Sequence, residues 1–162
     1  FKALKQVRKK YPNVILLVVG DGTKKYQLLE LSCELSLEKN ILFLGYRSDI
    51  SELNDISDIA IVPSIEFEGI PYTIREAMRS GKPVITTRAG GCDEAVEHEK
   101  NGLIFEENNV DALSEAILTI IEDKDLRISM GEKSRELFLD KFLLKDKIRE
   151  HEKLYDQLIS NI

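Results

Sequence analysis

The chain has 162 residues, of which 43% are hydrophobic and 32% charged, and its net charge is -6. This size fits one globular domain, and the negative charge argues against nucleic acid as a partner, because phosphates need a basic face. The two cysteines, Cys33 and Cys92, fit neither a metal-binding spacing nor a disulfide scaffold. We therefore predict reduced thiols in a cytoplasmic protein. No apolar run approaches the ~20 residues of a membrane span, so membrane contact is expected only through segments outside this chain.

Predicted helices and strands alternate along the chain without linkers or repeats. In chain order they are helix 3–10, strand 14–19, helix 25–35, strand 41–44, short helix 49–56, strand 59–62, helix 73–80, strand 84–86, short helix 93–96 and strand 103–105. The remaining third is helical and includes a final helix at about 145–160. Such alternation predicts an α/β fold with a Rossmann-like parallel sheet and helices on both faces. Strand 14–19 is apolar throughout, which is typical of a strand buried on both faces.

Two carboxylates eight positions apart, Glu68 and Glu76, span the turn from strand 59–62 into helix 73–80. In a parallel sheet this turn lies at the carboxyl ends of the strands, where ligands bind. The amides of Tyr72 and Thr73 would be unpaired donors at the helix N-terminus, suited to a phosphate. Ionised carboxylates accept paired hydrogen bonds from vicinal hydroxyls. The pattern therefore indicates a ligand that carries both an anionic group and many hydroxyls.

Structural roles for the same carboxylates stay open. The run from Thr73 to Glu76 also fits a capping box, in which the Thr73 hydroxyl bonds the Glu76 amide and the Glu76 side chain bonds the Thr73 amide. Glu68 is also consistent with a solvated loop residue, the commonest setting for glutamate.

The residues around this turn follow a longer ordered pattern. It consists of Glu68, Glu76, Ala77-Met78 and Gly81-Lys82-Pro83-Val84-Ile85, preceded by Val18-Val19-Gly20-Asp21-Gly22, Phe43-Leu44-Gly45 and Ser57-Asp58-Ile59-Ala60-Ile61-Val62-Pro63-Ser64, and followed by Gly90-Gly91, Glu94-Ala95-Val96 and Asn101-Gly102-Leu103. In this order the motifs resemble the retaining glycosyltransferases of the GT-B fold, group 1 or family 4. The resemblance covers their C-terminal donor-binding domain as far as about Phe105.

The resemblance implies that residues 1–162 are a donor-binding domain truncated from a larger two-domain enzyme. The implied reaction transfers a hexose from a nucleoside diphosphate sugar to an acceptor hydroxyl with retention, without a metal or other cofactor. The acceptor, a carbohydrate or lipid, would bind the missing N-terminal domain, as in polysaccharide or glycolipid biosynthesis. The intact enzyme would be cytoplasmic or peripheral to the membrane. We expect no transferase activity from this chain alone.

The resemblance also assigns roles to single residues. Glu68 would be the catalytic residue, binding donor-sugar hydroxyls beneath the leaving phosphate, and Glu76 would bind the ribose hydroxyls. The donor-binding stretch continues through Gly69, Ile70, Pro71, Tyr72 and Thr73, whose amides within 70–73 would hold the diphosphate.

One loop and four glycines complete the implied site. Tyr46 and Arg47 occupy the stretch that contacts the base, although they also fit ordinary loop residues at a helix start. Close approach of the backbone to the ligand is implied at Gly20, Gly22, Gly90 and Gly91. These glycines equally fit turns that need a positive φ.

The missing first strand of the family's domain has a structural consequence. The doubly wound order places it between strands 14–19 and 59–62, so its absence would leave two facing apolar strands without partners. We predict that the sheet closes up directly or that another segment fills the gap, for example from a second copy in a homodimer. A monomer with an empty slot there would contradict this argument.

Two other functions remain open from the sequence. One is a non-catalytic module that binds nucleotide sugars. The other is a flavodoxin-like interaction domain, in which the spacing of Glu68 and Glu76 would be accidental.

Overall fold

The computed structural model of the protein describes residues 1–65 and 69–160. Within these ranges the helices are α1 (Lys2–Lys10), α2 (Lys25–Glu34), α3 (Ile50–Ile56), α4 (Tyr72–Arg79), α5 (Cys92–Ala95), α6 (Val110–Glu122), α7 (Lys124–Lys141) and α8 (Leu144–Ser160). The strands are β1 (Leu16–Val19), β2 (Ile41–Gly45), β3 (Ala60–Val62), β4 (Val84–Thr86) and β5 (Gly102–Ile104). Strand 84–86 is confirmed residue for residue, and the other predicted elements lie within about two residues of those observed. None of the helices in the described ranges is long and apolar enough to cross a membrane.

The strands pair in parallel and are flanked by helices, which confirms the predicted α/β class. They form two sheets rather than one: β1 pairs with β2, and β3, β4 and β5 pair in that order. Of the two predicted alternatives, direct closure of the sheet is wrong, because β1 and β3 do not pair, whereas filling of the gap by a second copy stays a prediction. A cavity of about 1200 Å³ separates β1 from β3, lined by residues of both strands. No segment of the described chain completes the sheet between β1 and β3.

The prediction that β1 is buried on both faces is also wrong. Its first three residues are half-buried, and Val19 is 40% exposed. The cause is the missing neighbour on one edge. The amides of Leu16 and Gly20 bond towards β2, to the carbonyls of Asn40 and Gly45, so the alternation of a parallel strand directs the amide of Leu17 towards the cavity. Apolar content alone does not bury a strand that has one neighbour.

The three-stranded sheet is packed tightly. All three residues of β4 are buried, and a core of α4, β4 and α7 residues lies on one of its faces. At Gly102 an added Cβ would lie 1.9 Å from the Val84 carbonyl oxygen. The backbones of β4 and β5 are therefore too close together at this position for any residue other than glycine. Helix α7 packs on the turn after α4, where a Cβ on Gly131 would lie 2.3 Å from the Gly81 carbonyl oxygen.

Candidate functional site

The cavity between the sheets ends at the carboxyl ends of β1 and β2 and at the first turn of α4. There it is lined by Gly20 after β1, Tyr46 and Arg47 after β2, and Thr73 and Glu76 of α4. Five of the predicted site residues, separated by up to 56 positions in sequence, thus line the same cavity.

Glu76 is half-buried in this cavity. The capping-box interpretation is wrong, since α4 begins at Tyr72 after Pro71, has no side-chain cap, and places Thr73 inside the helix. In the described part of the chain the Glu76 carboxylate has neither a hydrogen bond nor an ion pair. A carboxylate that has lost part of its hydration without gaining a partner is unfavourable by itself. Hydroxyl groups of a ligand are donors that would satisfy it.

The N-terminus of α4 offers backbone donors beside Glu76. The amides of Ile74 and Arg75 donate to the Pro71 carbonyl, at 3.2 and 3.5 Å. The Thr73 amide has no acceptor among residues 1–65 and 69–160. With the positive end of the helix dipole behind it, this first turn suits an anionic group such as a phosphate.

The loop after β2 presents an aromatic ring to solvent at the edge of the cavity. Tyr46 is 82% exposed. Next to it, Arg47 binds the Asp49 carboxylate with two hydrogen bonds, from Nε to Oδ1 at 2.7 Å and from Nη2 to Oδ2. The bonds from Arg47 hold the pKa of Asp49 below its usual range. Because Arg47 is already paired, Tyr46 is the freer of the two to stack on a flat ring system.

Asp21 belongs to the predicted glycine turn after β1, and the structure gives its side chain partners of its own. Its carboxylate accepts a hydrogen bond from Lys25 Nζ at 2.8 Å, which lowers the pKa of Asp21, and the backbone amide of Tyr46 lowers it further. The carboxylate also lies close to the end of β2, since a Cβ on Gly45 would lie 3.5 Å from Asp21 Oδ2. An Asp four residues before a Lys at a helix start was the available signal.

The other predicted residues in the described ranges do not line the cavity. Gly22, Gly69, Ile70, Pro71, Tyr72, Gly90 and Gly91 lie outside its walls. Gly90 has φ of +56° and serves a turn, whereas a Cβ on Gly91 would lie 2.9 Å from the Ile70 amide nitrogen. Gly91 therefore allows close approach to the loop before α4. Tyr72 is exposed, with the Arg75 guanidinium 4.0 Å from its ring centre. Glu68 lies outside the described residues.

A metal centre would need several ligating side chains together. Over residues 1–65 and 69–160, no group of three or more His, Cys, Asp or Glu side chains is placed to hold a metal ion.

Comparison with known proteins gives consistent matches. The family model described as Glycosyl transferases group 1 matches residues 1–137. N-acetyl-alpha-D-glucosaminyl L-malate synthase from Bacillus anthracis is 32% identical over 140 residues, which is 86% of this chain and 36% of that protein. UDP-Gal:alpha-D-GlcNAc-diphosphoundecaprenol alpha-1,3-galactosyltransferase from Escherichia coli is 30% identical over 151 residues, covering 93% of this chain and 38% of that protein.

A solved structure extends the likeness to three dimensions. The crystal structure of HepE from Anabaena in complex with UDP-glucose matches with a TM-score of 0.85 and 31% identity, over 98% of this chain and 43% of that chain. The chain spans between 36% and 43% of the length of these three proteins.

Proposed function

Because the chain belongs to the group 1 glycosyl transferases, we propose that it binds a nucleoside diphosphate sugar as the donor-binding part of a larger enzyme. That enzyme transfers a hexose to an acceptor hydroxyl with retention at the anomeric carbon. One observation carries the proposal: Glu76 is half-buried in the same cavity as the first turn of α4, and its carboxylate has no partner among residues 1–65 and 69–160.

Each part of the donor has a complementary group in this arrangement. The diphosphate binds at the N-terminus of α4, where the Thr73 amide and the helix dipole favour negative charge. The Glu76 carboxylate accepts hydrogen bonds from the two ribose hydroxyls. The base lies against Tyr46, and Glu68, which precedes α4 in sequence, binds hydroxyls of the transferred sugar.

The chemical role of this part of the enzyme is to stabilise the leaving group. The bond between the anomeric carbon and a diphosphate oxygen breaks, a bond to the acceptor oxygen forms, and the proton of the acceptor hydroxyl passes to an oxygen of the departing diphosphate. Negative charge grows on the departing diphosphate, and donors at the start of α4 stabilise it. We propose that no metal or cofactor takes part. Enclosure of the donor by a second domain would exclude water, so the present chain alone should not transfer sugar.

UDP sugars are the donors to test first. The Anabaena structure contains UDP-glucose, and the Escherichia coli relative is named for UDP-Gal. That relative is also named for a diphosphoundecaprenol substrate. An acceptor of that kind would bring the intact enzyme to the cytoplasmic surface of a membrane.

Calorimetric titration with UDP-glucose and with UDP tests the proposal. Glu76→Gln keeps the size of the side chain but weakens its charge-assisted hydrogen bonds, so it should weaken binding of both ligands by about 1–3 kcal/mol. Glu68→Gln should weaken UDP-glucose and leave UDP nearly unchanged, because its partners are sugar hydroxyls. The exposed Glu132 of α7 provides a matched control, Glu132→Gln, that should bind like wild type. Equal affinities for all four proteins would overturn the assignment of both carboxylates.

A further inference from the structure

Thr87, which follows β4, is almost fully buried and makes two hydrogen bonds. It is 1% exposed. Its Oγ1 donates to the Ser64 carbonyl at 2.5 Å and accepts from the Ala89 amide at 3.3 Å. Ser64 lies beyond Val62, the last residue of β3 that pairs with β4. The hydroxyl of Thr87 therefore joins the segment leaving β3 to the turn that contains Gly90 and Gly91.

The same turn contacts the other end of the connection between β3 and α4. A Cβ on Gly91 would lie 2.9 Å from the Ile70 amide nitrogen and 3.2 Å from the Gly69 carbonyl carbon. Gly91 has φ of -86°, which any residue adopts, so glycine is required there for space. One short segment, 87–91, thus lies against both flanks of the connection, at Ser64 on one side and at Gly69 and Ile70 on the other.

We propose that Thr87 is a positioning residue for donor binding: its hydroxyl bridge sets the turn at Gly90 and Gly91 against the backbone that leads into α4. This inference rests on the proposed function. Thr87 does not line the cavity in the described structure, so it acts through the flanks. The first turn of α4 can favour a phosphate only if its amides point at a fixed place, and the flank at 69–71 enters that turn directly.

Thr86 provides a matched comparison one residue earlier. It is 0% exposed, and its Oγ1 donates to the Val62 carbonyl at 2.8 Å. Val62 belongs to β3 and is already held by the parallel pairing with β4. Removing either hydroxyl deprives one carbonyl of a buried donor, and removing that of Thr87 also deprives the Ala89 amide of its acceptor. Of the two bonds to carbonyls, only that of Thr87 reaches past the end of the sheet.

The test compares Thr87→Val with Thr86→Val and with the conservative variant Thr87→Ser. Hydrogen exchange followed by NMR should show the amides of Ile74 and Arg75, which donate to the Pro71 carbonyl at the start of α4, exchanging roughly tenfold or more faster in Thr87→Val than in wild type. Thr86→Val should leave these amides nearly unchanged, and Thr87→Ser should restore protection. In calorimetry, UDP-glucose should bind roughly tenfold more weakly to Thr87→Val and within about twofold of wild type to Thr86→Val.

Equal effects of Thr86→Val and Thr87→Val on both amide exchange and affinity for UDP-glucose would overturn the inference. The Thr87 hydroxyl would then contribute only to the stability of the core. Faster exchange in Thr87→Val with unchanged affinity would also overturn the inference. If wild type bound no UDP-glucose while exchange still separated the two variants, the proposed function would be wrong. The bond from Thr87 to the flank would then be supported without its role in donor binding.

Discussion

In the three-stranded sheet, β4 has a strand on each side and its residues Val84, Ile85 and Thr86 are fully buried, whereas β1 of the two-stranded sheet has one strand neighbour and ends in the 40% exposed Val19. Both strands have similarly apolar sequences. The difference shows that neighbours, rather than composition, decide burial in a parallel sheet. The candidate site lies between a tightly packed half of the molecule, around the three-stranded sheet, and a looser half, around the two-stranded sheet. The tighter half contributes Thr73 and Glu76, and the looser half contributes Gly20, Tyr46 and Arg47.

The largest expected contrast between the halves is in amide protection. The amides of β4 should exchange only through global unfolding, which for a domain of this size requires about 5 kcal/mol or more. The amides of Leu17 in β1 and Ile61 in β3, directed towards the cavity by the alternation of the parallel strands, should exchange by small local openings. Residue-resolved exchange measured by NMR checks this. Strong protection of Leu17 and Ile61 that grows with protein concentration would instead support a second copy that fills the gap.

Backbone packing should distinguish the halves nearly as strongly. Gly102→Ala places a Cβ 1.9 Å from the Val84 carbonyl oxygen, so β5 must shift away from β4, and we expect a loss of roughly 3–5 kcal/mol of unfolding free energy. Gly22→Ala meets no heavy atom within 4 Å and should change stability by less than about 0.5 kcal/mol. Urea unfolding of both variants measures the contrast. A destabilisation of similar size in the two variants would show that the halves are equally tight.

Truncating one valine in each half should give a smaller contrast in unfolding free energy. Val84→Ala removes methyl groups from a fully buried site of β4 and should lower the unfolding free energy by about 2–3 kcal/mol. Val19→Ala, at a 40% exposed site of β1, should lower it by less than about 1 kcal/mol. Denaturation midpoints with an unchanged slope check both values. A large loss from Val19→Ala would mean that β1 is covered in solution.

The smallest effect concerns Glu97, on the periphery of the tighter half. Hydrogen bonds from Lys100 and then Lys141 lower the pKa of Glu97. Because the pKa of the folded state is the lower one, the stabilisation is complete above the unfolded value of about 4.3 and is lost as pH falls through the folded value. The carboxylate is partly exposed, so wild type should exceed Glu97→Gln by less than about 1 kcal/mol at pH 7. Stability measured from pH 7 down to pH 3 should show this difference shrink as the pH falls below the unfolded value.

Local sequence signals predicted the elements that depend on local chemistry. Strand 84–86 lies between Pro83 and polar residues and was predicted without error, and the turn into α4 was found within one residue. The family resemblance assigned Glu76, Thr73, Gly20, Tyr46 and Arg47 to one candidate site, and these five residues line one cavity.

What the sequence did not predict depends on contacts between distant segments. β1 is exposed because no segment of the described chain forms a strand between it and β3. The residues of β1 themselves do not indicate whether such a neighbour is present. Helix α7 was not separated from its neighbours because its packing face includes Gly131 and Ser134, which are small, and Ser134 reaches the Asn101 carbonyl through a hydrogen bond. The roles of Asp21, Thr87 and Gly91 likewise depend on partners far away in sequence.

The most direct test of the account is an NMR titration of the chain with UDP-glucose, followed through the backbone amides. If the donor binds where the two halves meet, amide shifts will change together at Gly20, Tyr46 and Arg47 on one side and at Thr73 and Glu76 on the other, with one affinity, while β5 and α7 change little. Shifts confined to one side, or none at millimolar ligand, would contradict a donor site built between the two sheets.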